Sequence, residues 1–518
     1  MFLSILSAIL GILAFLPFKL FYVFGFIFLV PIFIFLFQEE KFWRLILGIF
    51  IFKIILSTTT LYFAFEPYGF LLSIFVFLGL PVTIFLIKRL LSRFTKPSIF
   101  NSQWSIVLLL PFLWIFFEDL QARYSFLPVY IGTVGNIFGN SPFLGLAAIG
   151  GLNTLSFFAI LINLLIGIMI LNMGKFDLPK LPSILRRSNF QKSNFAVIVI
   201  IIVIVIIGWQ ISQIKLQQNS NFYSSRPHTL KVGLVSNNEK FDEEFLIFKS
   251  DTFTEKEKEL ASLMIDEKLN LLRTDLRDKK LDLLILPEDM IDIEVWNNAD
   301  KEAQEKFGIS NAGILIKAYR DLAKEFNIYL VATLTTIQNN KRYNSTLLFN
   351  KKGELVDVYN KSRLTIGGEY WPFGNWRPFY YDWFKKITPT LDTKSPIYNQ
   401  AYRYIPGEKK LLKDKNLSFA SLICIEIHYP NEVKTFKNLG SQFISHTSNS
   451  DWVTIGLKNY LYLTDNLRKI EAVWLKIPIL INGRYEKAGI ITPDGKIKAV
   501  NFESATKDYG LFIGDVLY

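Results

Sequence analysis

Through the first two-fifths of the chain apolar positions run on almost unbroken, whereas beyond about residue 228 they come in short runs divided by polar turns. Seven long runs, near 3–16, 20–37, 44–65, 69–87, 104–119, 150–172 and 195–213, read as the spans of an α-helical membrane bundle. Most approach the ~20 residues needed to cross ~30 Å of hydrocarbon. "FAVIVIIIVIVIIGW" (195–209) is the plainest of them. The first run lacks a basic start and leads directly into further spans, so it is expected to stay as a helix and not to be cleaved as a leader.

The second pattern alternates strands with amphipathic helices. "TLKVGLVS" (229–236), "LDLLILPE" (281–288), "YLVATLTT" (329–336), "LSFASLI" (417–423), "QFISHT" (442–447) and "IPILIN" (477–482) read as strands. Residues 254–276 and 309–327 carry apolar side chains at helical spacing. Residues 344–361 predict a hairpin turning at Lys351, Lys352 and Gly353, and 488–500 a second one. Repeated strand–helix alternation with hairpins predicts a layered α/β sandwich. The expected division is a bundle over 1–217 and a sandwich domain over 218–518.

Charge refines this picture. The chain of 518 residues carries a net +12. Lys88, Arg89, Arg93 and Lys96 follow the fourth span, and Lys175, Lys180, Arg186, Arg187 and Lys192 the sixth. Basic loops stay in the cytoplasm, so seven spans starting inside place the C-terminal domain on the outer, periplasmic face of a bacterial inner membrane. The positive charge is thereby a topology signal and does not imply nucleic acid. Glu118, Asp119 and Arg123 are expected at an interfacial span end and Glu66 in a loop, which leaves no charged relay for a pump. A single cysteine excludes an intrachain disulfide, and His228, His428 and His446 have no metal-ligand spacing, so neither metal nor cofactor is expected.

Three reactive residues end apolar strands: Glu288 closes "LLILPE", Lys361 follows "LVDVYN" and Cys424 follows "FASLI". Singly, these read equally well as a helix-start carboxylate, a surface cation and a buried small hydrophobe. Together they make a nucleophile set, because a thiol attacks as thiolate and needs a base and a positive field. Glu288 would take the thiol proton, and Lys361 would steady the thiolate and an oxyanion, with a backbone N–H beyond the cysteine. His428 is a competing base, but four extended residues span about 13 Å, so that pair needs a sharp bend. Glu426 shares a face with Cys424 if the strand continues.

The segments "LPED", "YNKSRLTIGGEYWPF" and "SLICIEIHYP", in that order after a multi-span region, resemble the apolipoprotein N-acyltransferase family. The resemblance implies a membrane bundle joined to a nitrilase-like (carbon–nitrogen hydrolase) αββα sandwich. It implies Glu288 as base, Lys361 as oxyanion cation, Cys424 as acyl carrier, and Glu369 and Glu426 as supporting carboxylates. The activity implied is ping-pong transfer from a phospholipid acyl donor, through a Cys424 thioester, to the α-amine of a diacylglyceryl-lipoprotein acceptor. A monomer in the lipid bilayer suffices for it. Ile425 stands where the family usually has tyrosine, and 476–489 replaces its usual arginine- and asparagine-rich segment. A membrane-tethered amidase or an acyltransferase with another acceptor therefore stays open, as does a transporter or scaffold.

Apart from the family, "EYWPFGNWRPFYYDWFKKI" (369–387) concentrates aromatic residues beside Lys385 and Lys386. Such rings suit a membrane–water boundary, so Tyr370, Trp371, Phe373 and Trp376 are expected to face lipid at the acyl-chain entrance. An aromatic core under a long loop is the other reading.

Overall fold

Continuous apolar sequence becomes helix in the computed structural model of this chain, which describes residues 1–60, 74–94, 102–124, 129–172, 191–237, 255–288, 290, 299–374, 376, 403–450, 453, 456–500 and 509–518. The chain divides into two compact units, Met1–Ser220 with Val453–Lys476, and Asn221–Trp452 with Ile477–Tyr518.

The first unit is helical. Four stretches are long and apolar enough to cross a membrane: Lys19–Gln38, Phe42–Thr60, Leu152–Leu171 and Ala196–Ser224. They fall on four of the seven expected spans. Phe2–Phe15 is a helix of 14 residues, about 21 Å long. Gly79–Phe94 has 16 residues, and Ser102–Tyr124 has 23 with Pro111 inside. The expectation of seven spans thus reduces to a helical region with four apolar candidates among the described residues. Glu66, Lys96 and residues 173–190 lie outside those residues.

Two charges of this helical region are buried. Glu118 is buried within the helical unit: at 6% exposure it accepts from Trp114 Nε1 (3.1 Å), Val134 N (3.0 Å) and Ser156 Oγ (3.2 Å). Lys53, inside a candidate span, is also buried, with Nζ 4.0 Å from the centroid of the Phe77 ring. Sequence spacing does not reveal most of these partners, because Val134, Ser156 and Phe77 lie outside the helix that carries the charge, whereas Trp114 stands four residues before Glu118 on the same helix. Lys88 donates to the Leu36 and Glu39 carbonyls at the end of helix Val30–Gln38, where otherwise unpaired carbonyls collect.

The helix Leu457–Leu475 belongs to this unit although it falls in the range expected for the second domain. Asn136 Nδ2 donates to Leu463 O at 3.0 Å, and a Cβ on Gly139 would lie 2.5 Å from Asn466 Cα. Only glycine permits that approach.

Among the described residues of the second unit twelve strands follow one another: β1 (Thr229–Asn237), β2 (Leu283–Glu288), β3 (Tyr329–Gln338), β4 (Lys341–Phe349), β5 (Leu355–Asn360), β6 (Leu412–Asp414), β7 (Leu417–Ile423), β8 (Ile444–Asn449), β9 (Ile479–Arg484), β10 (Ala488–Ile491), β11 (Ile497–Val500) and β12 (Tyr509–Leu517). One half is ordered β5-β4-β3-β2-β1-β12 and the other β6-β7-β8-β9-β10-β11. They share only a short bridge at Ser236↔Gly483 and Asn237↔Arg484. Across the layers, Ser421 of β7 donates to Thr346 of β4 at 3.1 Å, although these strands are not ladder neighbours.

The β1-β2-β3 and β7-β8-β9 sets are parallel, so their connections must cross over, and helices do so. Strands β2 and β9 are buried at every position, as parallel strands covered on both faces must be. Helices Glu255–Leu276 and Gly313–Phe326 bury Ile265, Leu269, Leu272, Leu315, Ile316 and Leu322 against this sheet. A Leu or Ile side chain so buried contributes about 1.5–3 kcal/mol.

The predicted hairpin over 344–361 is β4–β5, with Gly353 at φ 80 in its turn. Strands β6 and β12 were not anticipated. "DYGLFIGDVLY" pairs antiparallel with β1 from Thr229↔Leu517 to Asn237↔Tyr509, and Gly510 and Gly514 obscure its alternation.

Candidate active site

Strand β2 ends on Glu288, β5 ends one residue before Lys361, and β7 ends one residue before Cys424. In α/β folds reactive groups gather beyond the carboxyl ends of strands. Glu288 is 5% exposed. Its Oε1 accepts from Asn344 Nδ2 at 2.8 Å and its Oε2 from the backbone N of Asn449 at 2.8 Å. The same Asn344 Nδ2 donates to Glu369 Oε1 at 2.9 Å, so one amide group ties two carboxylates together.

Lys361 is buried, with Nζ 2.9 Å from both oxygens of Glu369. Its backbone is held on both sides, Lys361 N donating to Asn344 O and Gly407 N to Lys361 O, each at 2.8 Å. Glu369 Oε2 also accepts from Thr365 N at 2.7 Å. Burial pulls the Lys361 ammonium down, but Glu369 foremost, then negative charge at Cys424 and Glu288, outweigh it. The net shift is upward, and the lysine stays cationic.

At Cys424 the chain bends sharply. Its φ of 52 lies in the left-handed region, a strained conformation worth about 1–3 kcal/mol that persists only when neighbours hold it. Residues Cys424–His428 then form a 3-10 turn. Burial pushes the half-buried thiol up to about 12; Lys361 opposes this, Glu288 and Glu369 add to it, and the Ile425 N–H favours the thiolate.

The strand therefore does not continue to Glu426, and the shared face expected for Cys424 and Glu426 is absent. The Glu426 carboxylate binds five donors instead. Oε2 accepts from Ile423 N at 2.9 Å, and Oε1 from Tyr359 OH (2.7 Å), Ser362 N (2.8 Å), Ser362 Oγ (2.7 Å) and Arg363 N (3.1 Å). It thus couples the end of the cysteine strand to the segment carrying Lys361. Burial raises its carboxyl above the usual range, against the pull of these bonds and of Lys361. Arg363 stacks over the Tyr429 ring at 3.7 Å and pairs with Glu432 at 2.7 Å, holding the same segment from outside.

His428, the competing base, is buried on that turn; the groups that act on the thiol are Lys361, Glu288, Glu369 and the Ile425 N–H. Trp371 differs from its expected lipid-facing position. It is 2% exposed, lies 5.2 Å from the Phe373 ring and donates Nε1 to Trp376 O at 2.8 Å. Trp376 is 50% exposed, while Tyr370 and Phe373 are half-buried. The indole of Trp371 holds the segment together, and Trp376 presents its surface. Phe379, Tyr380, Tyr381, Trp383, Phe384, Lys385 and Lys386 lie outside the described residues.

Asn344 and Asn449 escape the sequence analysis, and His446 enters it only as a histidine without metal-ligand spacing. Asn344 opens the "NSTLLF" run, and His446 interrupts "FISHTSN". A polar side chain within a buried strand is the one signal that marked them. Among the described residues no group of three His, Cys, Asp or Glu side chains is placed to hold a metal ion. The arrangement offers a carboxylate, a cation and a thiol at a backbone bend, which is suited to acyl chemistry through a thioester.

Comparison with known proteins gives two tandem matches. The carbon-nitrogen hydrolase profile matches residues 257–509, and the apolipoprotein N-acyltransferase N-terminal domain profile matches residues 7–165. The apolipoprotein N-acyltransferase of Aquifex aeolicus is 25% identical over 248 residues, covering 48% of this chain and 48% of that protein. Apolipoprotein N-acyltransferase 1 of Leptospira interrogans is 27% identical over 169 residues, covering 32% and 26%. The chain thus spans about half the length, or less, of these curated relatives. Among solved structures, Saccharomyces cerevisiae Nit3 of the nitrilase superfamily aligns at 15% identity and a TM-score of 0.36, over 56% of this chain and 91% of that one.

Proposed function

We propose, since this chain belongs to the apolipoprotein N-acyltransferase family as a divergent member, that it carries an acyl group from phospholipid to a lipoprotein amine by way of Cys424. The observation that supports this reading most is the linked set Glu288–Asn344–Glu369–Lys361 beside the bend at Cys424.

The thiol rests protonated, since burial pushes it up to about 12. As its sulfur attacks the ester carbonyl of the donor, the proton passes to Glu288. The carbonyl oxygen becomes an oxyanion, met by the Lys361 ammonium and the Ile425 N–H. Collapse breaks the ester C–O bond, Glu288 returns the proton to the departing oxygen, and a thioester and a lysophospholipid result. In the second half the α-amine of a diacylglyceryl-cysteine attacks the thioester and Glu288 takes the amine proton. The C–S bond breaks, the amide leaves and the proton returns to sulfur. Glu369 holds the lysine, and Glu426 holds the two segments in register.

The four apolar candidate spans support a catalyst kept in the plane of its lipid substrates, which raises the frequency of productive encounter. The domain boundary near 217, seven spans and a catalytic domain on the periplasmic face of the bacterial inner membrane complete the proposal. A second reading, with another amine or water as acceptor, is favoured by Ile425 at the position after the nucleophile.

The test incubates membranes containing the full chain with acyl-labelled phospholipid, Cys424→Ser serving as control. Hydroxylamine-labile label on the wild type alone is expected, followed by its passage to a diacylglyceryl-cysteine peptide. Absence of label overturns both readings. Label that never reaches the peptide supports the second.

A further inference from the structure

We infer that His446 is a positioning residue that aims the Ile425 N–H at the oxyanion formed over Cys424. The inference rests on the acyl-transfer reading. His446 Nε2 lies 2.9 Å from the Cys424 carbonyl oxygen. A carbonyl only accepts, so Nε2 carries the proton. The Cys424–Ile425 peptide is trans, and in a trans peptide the C=O and N–H point in opposite directions. Fixing the carbonyl on the His446 side therefore fixes the N–H on the sulfur side, where the Ile425 N–H meets Cys424.

The restraint is needed because Cys424 sits at φ 52. A cysteine left unheld relaxes out of that region and rotates the peptide plane with it. The bend is held at both ends, Ile423 N by Glu426 Oε2 at 2.9 Å and Cys424 O by His446. The register neighbours of His446 on β7 and β9 are Leu422 and Ile481. Sheet packing alone therefore does not ask for an imidazole at this fully buried position.

Two reactions of the chain's single cysteine separate this role from a general structural one. Acylation by phospholipid forms an oxyanion; alkylation by iodoacetamide does not. In the full chain, His446→Leu is expected to slow hydroxylamine-labile labelling by about 10²-fold at saturating donor with little change in apparent KM, as for loss of an oxyanion donor. Alkylation should fall far less, staying within about threefold of wild type, because there the N–H only helps hold the thiolate and no oxyanion forms for it to stabilise. His446→Gln, whose amide reaches the same carbonyl, is expected to recover most of the loss. The inference is overturned if His446→Leu acylates at the wild-type rate, if acylation and alkylation fall together, or if Gln is as impaired as Leu. A wild-type chain that alkylates but never takes the lipid label defeats the acyl-transfer reading instead.

Discussion

Lys361 and Glu369 stand 2.9 Å apart with the lysine sealed from solvent. The carboxylate is shared, since Glu369 also binds Asn344, which in turn binds Glu288. A buried ammonium without such a partner would lose its proton to desolvation. Glu369 is thus what keeps Lys361 charged, and the charge is what the chemistry needs.

Lys361→Met should abolish thioester labelling and lower stability by about 3–5 kcal/mol, the cost of leaving one half of a buried pair uncompensated. Adding Glu369→Gln should restore most of the stability and none of the labelling. Denaturation and acylation of the two variants check this; labelling by the double variant would remove Lys361 from the mechanism.

Glu426→Gln leaves five donors facing a neutral amide that can accept on one atom only. A destabilisation of about 2–3 kcal/mol is expected, with donors left unpaired in a buried site. Labelling should fall because the cysteine and lysine segments lose register. Unchanged melting and unchanged labelling would show that the five contacts carry no weight.

For pH the sign follows from the raised thiol. With Cys424 pushed up to about 12, the thiolate fraction grows about tenfold per pH unit below that value. Iodoacetamide alkylation should climb across the neutral and alkaline range with no plateau at the ordinary thiol value near 8.5. Stability should fall in the same direction, beginning above the unfolded thiol's value, because the unfolded chain there binds fewer protons than the folded one. A plateau in the alkylation rate at pH 8–9 would contradict the burial argument.

Two tryptophans five positions apart should respond in opposite ways. Trp371→Ala removes a buried ring and is expected to destabilise by about 3–5 kcal/mol. Trp376→Ala, half-exposed, should leave melting nearly unchanged and raise the apparent KM for phospholipid. Comparing melting with donor titration decides whether the exposed ring engages lipid.

The sequence by itself determined the elements whose information is local. Strand β7 was read at 417–423 and found at Leu417–Ile423; helix 254–276 was found at Glu255–Leu276. Side-chain periodicity is a property of neighbouring residues and needs no tertiary partner. The positions of Glu288, Lys361 and Cys424 at strand ends were legible for the same reason.

What tertiary structure alone decided was long-range. The bond from Ser362 to Glu426 joins residues 64 apart, the one from Asn449 to Glu288 residues 161 apart, and the one from His446 to Cys424 residues 22 apart. Such pairs exist only once sheet order and register place them together. The left-handed bend at Cys424 and the assignment of helix Leu457–Leu475 to the first unit have the same origin. A local pattern states which face of an element is apolar; which neighbour covers that face, and which polar groups meet there, is settled when the elements pack.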